Sequence, residues 1–265
     1  LDAPCAFLCV RTNEMTQDLE VPANWYEDFF CEPANRFWER VVPPEAAEDD
    51  ARYLHDALRL APPAAILDLA CGAGRHARAL ARRGFTVTGV DISEDAIARA
   101  RIASEGLPAS FVQANLLTLP EIGLFDGACW MGNGFAYFGR DETIALLQAV
   151  RRRMNDGARL VIDSYSSAES VLADWQEDQV QPFPGGTYET RSSYDPRTAK
   201  LNSVARLTID GEHHTLRYAH VIRTSGEAVR LLEEAGWAVE SLLSGLGGEP
   251  FTIGSPRLLL AAVAT

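Results

Sequence analysis

Residues 66–76 read ILDLACGAGRH, and this stretch decides the fold. The apolar residues around Asp68 are typical of a buried strand, and Gly72 and Gly74 form a turn that leads into a helix. A second acid, Asp91, closes the next apolar strand. A glycine turn lets a ligand approach the backbone, and an acid after the second strand can hold a ribose. Together they indicate a site for an adenosine-containing cofactor.

Strand and helix signals alternate on both sides of this stretch. Short apolar runs predict strands at residues 64–69, 85–90, 109–114, 124–131 and, after a turn at Asp156 and Gly157, 158–163. Helical periodicity predicts helices at residues 75–83, 94–104 (with Ser93 as N-cap) and 141–154. Alternation of this kind implies a parallel sheet with helices on both faces.

The two ends of the chain depart from this alternation. Residues 24–60 are predicted to be helical, with a second segment that opens at Pro43 and Pro44. After about residue 176 the pattern changes to period two, which predicts an antiparallel insert of about three strands at 186–194, 200–209 and 213–223. A helix with Ser225 as N-cap then runs to Gly236, and two last strands follow near 237–243 and 257–264.

Composition excludes several classes of protein. The 265-residue chain has room for one large α/β domain with a small elaboration. Its formal net charge of −13 argues against nucleic acid or an anionic membrane as a partner. No apolar run reaches the ~18 residues that a membrane span requires. The five cysteines show no CxxC spacing, which favours reduced cytoplasmic thiols and no metal site. We interpret residues 1–20 as a tail.

The turn alone leaves two cofactor classes open. The spacing of Gly72, Gly74 and Ala77 also satisfies the dinucleotide pattern, and Asp91 lies at a suitable distance for the ribose of NAD. Asp68 lies inside the strand, where nicotinamide-binding strands stay apolar, and a buried carboxylate is costly unless it is bonded. The helical residues before the first strand and the strand pair at the end also weigh against a dehydrogenase.

From about residue 24 onward, these motifs resemble the class I S-adenosylmethionine (SAM)-dependent methyltransferases. The resemblance is to the small-molecule type, similar to glycine and amino-sugar N-methyltransferases. It implies a Rossmann-like α/β fold: a seven-stranded, mostly parallel sheet with helices on both faces, an antiparallel last strand and a small antiparallel β insert. It also implies a methyltransferase domain over 21–265, in which residues 178–224 form the insert and act as a substrate cover.

The resemblance also implies which residues hold SAM. Asp68 to Gly74 match the first motif, Asp91 the acid that binds the ribose hydroxyls, and Ile92 the neighbour of the adenine. The third-strand motif ends at Asn115 and Leu116, with an amide where an aspartate is common, and Gly134 stands where related sequences often carry serine. The cofactor-binding residues expected in these motifs are Asp68, Ala70, Cys71, Gly72, Gly74, Asp91, Ile92, Asn115, Leu116, Trp130, Met131 and Gly132.

Further candidates lie outside the motifs, and each has a plain structural alternative. Arg75 either pairs with the ligand carboxylate or caps a neighbouring acid. Tyr26 and Trp38 either cover the sulfonium, since a ring face attracts a cation, or belong to an ordinary apolar helix stripe. Trp130 is interpreted as half core and half pocket wall.

Three residues are candidates for catalysis on the acceptor side. His220 shares one face of the last insert strand with apolar residues, so it is either a core histidine or the first choice for a base. Asp163 and Tyr165 follow the fifth strand, at the sheet edge where ligands of open α/β sheets sit, and turn or cap chemistry is the alternative for them.

We therefore predict transfer of a methyl group from SAM to nitrogen or oxygen of a small soluble acceptor by in-line displacement. Such a reaction requires no metal and gains most of its rate from alignment and exclusion of water. We expect a cytoplasmic monomer or homodimer. The alternatives are an NAD-dependent oxidoreductase and a non-catalytic SAM-binding protein.

Overall fold

The computed structural model describes residues 20–265 and divides the chain into two compact units. The larger unit holds residues 43–173 and 222–265, and the smaller one holds residues 174–221 together with residues 20–42. The expected tail at residues 1–20 lies, apart from Glu20, outside the described residues. We describe each unit by itself.

The regular elements follow in chain order. The helices are α1 Tyr26–Phe29, α2 Glu32–Val41, α3 Pro44–Leu58, α4 Arg75–Arg82, α5 Glu94–Ala103, α6 Arg140–Arg151, α7 Ala168–Val171 and α8 Ser225–Glu234. The strands are β1 Ala65–Leu69, β2 Thr86–Asp91, β3 Ala109–Gln113, β4 Phe125–Trp130, β5 Met154–Ser164, β6 Asp178–Phe183, β7 Gly186–Asp195, β8 Lys200–Ile209, β9 Glu212–Val221, β10 Trp237–Leu243 and β11 Leu258–Ala264.

A seven-stranded sheet forms the centre of the larger unit. Its strand order is β10-β11-β5-β4-β1-β2-β3. Strands β1 to β5 pair in parallel, whereas β11 runs antiparallel to both β5 and β10. This confirms the predicted fold class, including the antiparallel last strand. Because β1, β2, β4 and β5 are parallel, their carboxyl ends meet at one edge of the sheet.

Local chemistry explains where the helices around this sheet begin. Ser93 caps α5, as predicted, because its hydroxyl accepts a hydrogen bond from the Ala96 amide (3.2 Å). The expected N-cap at Ser225 is wrong by one residue. Thr224 holds the extended N-cap position of α8, and its hydroxyl accepts from the Glu227 amide (3.2 Å). Both residues carry a hydroxyl, so the sequence alone does not separate them.

Strand β5 also begins earlier than predicted. The expected turn at Asp156 and Gly157 lies inside the strand, which starts at Met154. Pairing with β4 shifts register between Phe125 and Gly127, and Gly157 adopts a left-handed φ of 74°. The turn signal therefore corresponds to an irregularity within a strand, where extra residues must leave the ladder.

The hydrophobic core under one face of the sheet is built by α3 and α4. It packs Leu54, Leu58 and Leu80, all at most 1% exposed, against Ile66 and Phe85. Completely buried side chains of this size contribute roughly 1.5–3 kcal/mol each to folding. This packing fixes α3 and α4 beside the carboxyl end of β1, and so places their polar side chains at the edge where a ligand of such a sheet binds.

The smaller unit contains a four-stranded antiparallel sheet in the order β6-β7-β8-β9, together with α1 and α2. The prediction of about three strands missed β6. This strand is polar and contains Pro182, which suits an edge strand and hides the period-two signal. Helix α2 packs on the sheet by stacking Phe37 on Tyr188, with ring centroids 4.6 Å apart. An ion pair between Arg40 and Asp210 adds a polar contact (2.7 Å).

Gly134, in the turn after β4, lies too close to Trp130 to carry a side chain. A Cβ atom added there would overlap the Nε1 atom of the completely buried Trp130. Gly134→Ala should therefore lower the free energy of unfolding by about 1–3 kcal/mol, because the indole must leave its packed position. Chemical denaturation measures this change.

The matched control for that prediction is Gly226→Ala. Its Cβ would meet only the end of the Arg230 side chain at 3.6 Å, and α8 gains a better helix former. We expect this variant to be neutral or more stable by up to ~1 kcal/mol. Equal stability of Gly134→Ala and the parent would contradict the close approach of Trp130.

Candidate cofactor site

The turn after β1 exposes backbone at the carboxyl edge of the sheet. Ala70, Gly72 and Gly74 all have left-handed φ angles, of 52°, 53° and 74°. A Cβ at Gly72 would point into open space, whereas one at Gly74 would lie 2.7 Å from the ring of Phe111. Gly74 is therefore required for packing, while Gly72 leaves a backbone surface that a ligand can approach. Cys71, the residue directly before Gly72, has 6% of its surface exposed.

Asp91 at the end of β2 is bonded to the same turn. Its Oδ2 atom accepts a hydrogen bond from the Gly72 amide (2.8 Å), and Oδ1 accepts from the Ser93 amide (2.9 Å). Burial raises the pKa of Asp91, and these amides act in the opposite direction. Each carboxylate oxygen keeps further lone-pair capacity, which suits two ribose hydroxyl donors. The bond to Gly72 was not anticipated from the sequence.

Asp68 has an open hydrogen-bonding position inside the protein. Its residue is 1% exposed, and the Cys129 thiol lies 3.6 Å from Oδ1. Its Oδ2 atom has no hydrogen-bond partner within residues 20–265. Burial raises the pKa of Asp68 to about 7. An unsatisfied buried oxygen costs roughly 1–3 kcal/mol, so a ligand that brings a donor or a positive charge fits this position. The residues present thus fit SAM, which carries both.

Asn115, which is expected to contact the adenine, already uses one of its polar atoms to cap a local turn. The Oδ1 atom of Asn115 accepts from the Leu117 amide (2.9 Å) and so caps a short 3-10 turn at Leu116–Thr118. The amide nitrogen of Asn115 remains the group that an adenine edge could use. Leu116 is buried, and Ile92 is half-buried beside Asp91. The adenine contacts of these residues stay predictions.

The end of β4 differs from the expectation at one residue. Trp130 is completely buried, with its ring 5.7 Å from Phe135 and 6.4 Å from Phe138, so the interpretation as half pocket wall is wrong. Met131 is also buried. Gly132 is exposed and left-handed (φ 83°), with open space where a Cβ would be. Backbone at Gly132 is therefore the accessible part of this segment.

A cluster of buried charges lies beside the glycine turn. Asp50 of α3 is 5% exposed and accepts a hydrogen bond from His76 Nε2 (3.1 Å). Its carboxylate also faces Arg75 (3.6 Å) and Arg257 (3.4 Å). The structure thus gives Arg75 an acidic protein partner, which was one of the two alternatives for it. Burial raises the pKa of Asp50, but His76, Arg257 and Arg75 together hold it below its usual value.

The same cluster brings two predicted catalytic residues together. Asp163 is 1% exposed, and its Oδ1 atom lies 3.6 Å from Arg257 Nε. Burial raises the pKa of Asp163 to about 6. Tyr165 is 46% exposed, and its hydroxyl oxygen accepts a hydrogen bond from Arg257 (3.0 Å). Asp163 and Tyr165 are therefore linked through one guanidinium at the carboxyl end of β5.

Asn133 joins the loop after β4 to this segment. Its Oδ1 atom accepts from the Tyr165 amide (3.0 Å) and the Ser164 hydroxyl (3.2 Å), and its Nδ2 atom donates to the Ser166 hydroxyl (2.9 Å). Asn133 has a left-handed φ of 78°, a conformation that asparagine tolerates better than most residues. These bonds fix where the backbone at Tyr165 lies.

Sequence reasoning missed Asn133, Asp50 and the role of Arg257. Asp50 is one of several acids in α3, and no periodicity marks it as the one that contacts Arg75 and His76. Asn133, between two glycines, carried a turn signal that could have drawn attention to it.

The remaining candidates belong to the smaller unit. Tyr26 lies in α1 against Trp25 (6.2 Å between ring centroids), and Trp38 of α2 is 45% exposed. His220 of β9 lies 5.3 Å from Tyr218 and 6.1 Å from Trp25 by the same measure. Burial lowers the pKa of His220 to about 4, so the ring is neutral at pH 7. The catalytic role of His220 and the sulfonium contacts of Tyr26 and Trp38 stay predictions.

Comparison with known proteins now adds to this geometry. Residues 66–157 match a family model described as a methyltransferase domain. YqeM of Bacillus subtilis, named as a candidate methyltransferase, is 32% identical over 123 residues, which cover 43% of this chain and 50% of YqeM. The chain thus spans half of the length of this relative. A ubiquinone biosynthesis O-methyltransferase of Xanthomonas axonopodis pv. citri is 26% identical over 231 residues, 84% of each chain.

Solved structures share the fold. The CcbJ methyltransferase of Streptomyces caelestis superposes with a TM-score of 0.78 at 18% identity, covering 90% of this chain and 99% of its own. CalS10 of Micromonospora echinaspora, an amino pentose methyltransferase solved with SAM bound, gives a TM-score of 0.66 at 19% identity, covering 87% and 95%.

The strand order and the glycine turn give the larger unit the Rossmann-like fold that these solved methyltransferases share. Residues 66–157 match the methyltransferase domain model, and this match covers less than half of the chain. SAM is the cofactor of this class. The resemblance found in the sequence is confirmed.

The raised pKa of Asp68 predicts how stability depends on pH. Its pKa of about 7 in the folded protein exceeds that of an unfolded aspartate, so this group destabilises the fold progressively as pH rises from ~4 to ~7. Asp68→Asn removes the penalty. The quantity to follow is the difference in unfolding free energy between the variant and the parent, both measured without cofactor. We expect this difference to grow by about 2–4 kcal/mol in favour of the variant across this range.

Glu240→Gln provides a control of opposite sign. A hydrogen bond from Arg159 (2.9 Å) holds the pKa of Glu240 below its usual value. This variant should lose stability at neutral pH and recover as the pH falls through the pKa of Glu240. A pH-independent difference for Asp68→Asn would contradict the buried carboxylate.

Proposed function

We propose that the chain binds SAM at the carboxyl ends of β1, β2 and β4 and transfers its methyl group to a small soluble acceptor. The buried, unbonded Oδ2 atom of Asp68 beside the glycine turn carries this proposal, because it offers an acceptor to a cationic ligand. SAM, when bound, supplies a methyl group that is activated by its sulfonium. The protein needs to bind, orient and dehydrate the two reactants.

Different residues of the site would bind different parts of SAM. Asp91 accepts hydrogen bonds from the ribose hydroxyls. The accessible backbone at Gly72 and Gly132 lies along the ligand. Alignment of the acceptor with the methyl group supplies most of the rate, since effective molarities are worth roughly 7–11 kcal/mol. Within residues 20–265, no group of three or more His, Cys, Asp or Glu side chains could hold a metal ion.

The atom methylated is nitrogen or oxygen, and support exists for both. KedS8 of Streptoalloteichus is named a sugar N-methyltransferase, and the Xanthomonas relative is named an O-methyltransferase. Asp163 has a pKa of about 6 and would accept a proton from either kind of acceptor at neutral pH. Asp163 and Tyr165 are the acceptor-side residues of this proposal, and His220 is the third.

The remaining expectations form part of the same proposal. Residues 178–224 act as the substrate cover, and the protein works as a cytoplasmic monomer or homodimer without nucleic acid. The part of the chain that the structure describes contains no helix that is long and apolar enough to cross a membrane.

A turnover assay tests the proposed reaction. The full chain is incubated with SAM and a panel of amines, amino sugars, hydroxy acids and phenols, and demethylated cofactor is quantified. We expect acceptor-dependent product with at least one member. Binding of SAM without turnover across the panel would favour the non-catalytic alternative, and reduction of NAD by a panel member would favour the oxidoreductase.

Asp91→Ala should weaken SAM binding by roughly 1–3 kcal/mol, because the ribose hydroxyls lose their acceptor. Equilibrium dialysis with labelled SAM measures the change. Asp126→Ala is the matched control, since Asp126 also accepts a strand amide, from Ala65 at 2.8 Å, at the amino end of the sheet. Equal losses of affinity in both variants would contradict the ribose role of Asp91.

His220→Ala should reduce turnover by about 10²-fold and leave SAM affinity intact if the neutral imidazole is the base. The control is His213→Ala, which removes an exposed ring that contacts Thr208 (3.0 Å) near the hairpin turn. Thermal denaturation of both variants accompanies the kinetics. A His220→Ala variant that loses stability while the remaining folded enzyme turns over normally would show a core histidine.

A further inference from the structure

Arg257, just before β11, lies close to two carboxylates and one phenol hydroxyl at once. Its guanidinium lies 3.4 Å from Asp50 and 3.6 Å from Asp163, and it donates a hydrogen bond to the Tyr165 hydroxyl at 3.0 Å. Its carbon Cζ also lies 5.8 Å from the centre of the Tyr165 ring. The side chain of Arg257 is only 15% exposed, so its position is set by these partners.

The direction of this hydrogen bond determines what Tyr165 can do. An arginine only donates, so the phenol oxygen is the acceptor and its own proton must point elsewhere. Burial raises the pKa of Tyr165, and the negative charge of Asp163 acts in the same direction, whereas Arg257 opposes both. The phenol is therefore protonated at neutral pH and has a hydrogen bond left to donate. The residue as a whole is 46% exposed, so part of Tyr165 is accessible to a ligand.

The contact with Asp163 is incomplete. Oδ1 of Asp163 and Nε of Arg257 lie 3.6 Å apart, and neither has a hydrogen-bond partner within residues 20–265. The anchoring of Arg257 therefore comes from Asp50 on one side and from Tyr165 on the other. Asp50 is itself fixed by His76. This chain of contacts joins α3 and α4 to the end of β5.

We propose that Arg257 is a positioning residue for the methyl transfer: it fixes the Tyr165 phenol so that the hydroxyl donates a hydrogen bond to an oxygen atom of the methyl acceptor. The inference rests on the proposed function. It also narrows the acceptor to molecules that carry a hydroxyl, carbonyl or carboxylate oxygen beside the methylated atom. Tyr165 would contact the acceptor, and Arg257 would act through Tyr165.

A double-mutant cycle tests this coupling on the full chain. The variants are Tyr165→Phe, Arg257→Gln, both together, and Arg257→Lys, with acceptors from the panel that do or do not carry the neighbouring oxygen. Each single variant should raise KM for oxygen-bearing acceptors by about 3- to 10-fold, as expected for one lost hydrogen bond, with SAM affinity unchanged. The double variant should be no worse than either single one, and Arg257→Lys should recover part of the loss.

A spectroscopic readout works without turnover. The protein is labelled with 3-fluorotyrosine, and the Tyr165 resonance is assigned by its loss in Tyr165→Phe. Its titration midpoint should move to higher pH in Arg257→Gln, because the phenolate loses a neighbouring positive charge. Arg159→Gln is the matched control, since Arg159 binds Glu240 (2.9 Å) elsewhere in the same sheet. That variant should leave both the resonance and KM unchanged.

The outcomes separate this inference from the proposed function. Additive kinetic losses, or an unmoved Tyr165 resonance in Arg257→Gln while SAM still binds, would overturn the positioning role alone. Equal losses for acceptors with and without the neighbouring oxygen would also overturn it. Failure of the parent protein to bind SAM would instead refute the proposed function. Arg257→Lys, which keeps the buried positive charge, distinguishes loss of positioning from loss of folding.

Discussion

Burial of carboxylates at the carboxyl ends of β1 and β5 is the constraint on which the rest of this structure depends. Asp68 and Asp163 are each 1% exposed, and burial raises the pKa of both. Such groups persist only where charge or hydrogen bonds compensate for lost hydration. For Asp163, insertion of the antiparallel β11 beside β5 brings Arg257 within reach. For Asp68 the compensation is incomplete, because its Oδ2 atom has no hydrogen-bond partner within residues 20–265, and the proposed cofactor would bring a positive charge to this position.

The sequence predicted most of the larger unit because its signals are local. Strands β1 to β4 are short apolar runs, Ser93 is followed by acids in a first helical turn, and Asp68 and Asp91 stand at fixed distances from the glycines. Where the prediction was wrong, local signals were ambiguous. Thr224 and Ser225 both carry a hydroxyl that can cap a helix, and β6 has the polar composition of an edge strand.

Asp163 and Tyr165 were predicted as acceptor-side residues, but their partners could not be predicted because these contacts join distant parts of the chain. Asp50 and Arg257 meet across 207 residues, and Tyr165 and Arg257 across 92. No spacing rule links such pairs, since they are brought together by sheet order and by packing of α3. For Trp130 the sequence suggested a contact with the pocket that the packing does not allow. Its place at the end of β4 suggested an exposed wall, but packing on Phe135 and Phe138 buries it.

The central claim is that Asp68, the glycine turn and Asp91 form a site for SAM. Isothermal titration calorimetry of the full chain with SAM, its demethylated product and NADH tests this most directly. We expect micromolar-range binding of the S-adenosyl ligands and none of NADH, with affinity for SAM lowered in Asp68→Asn. Binding of NADH with no heat from either S-adenosyl ligand would contradict it.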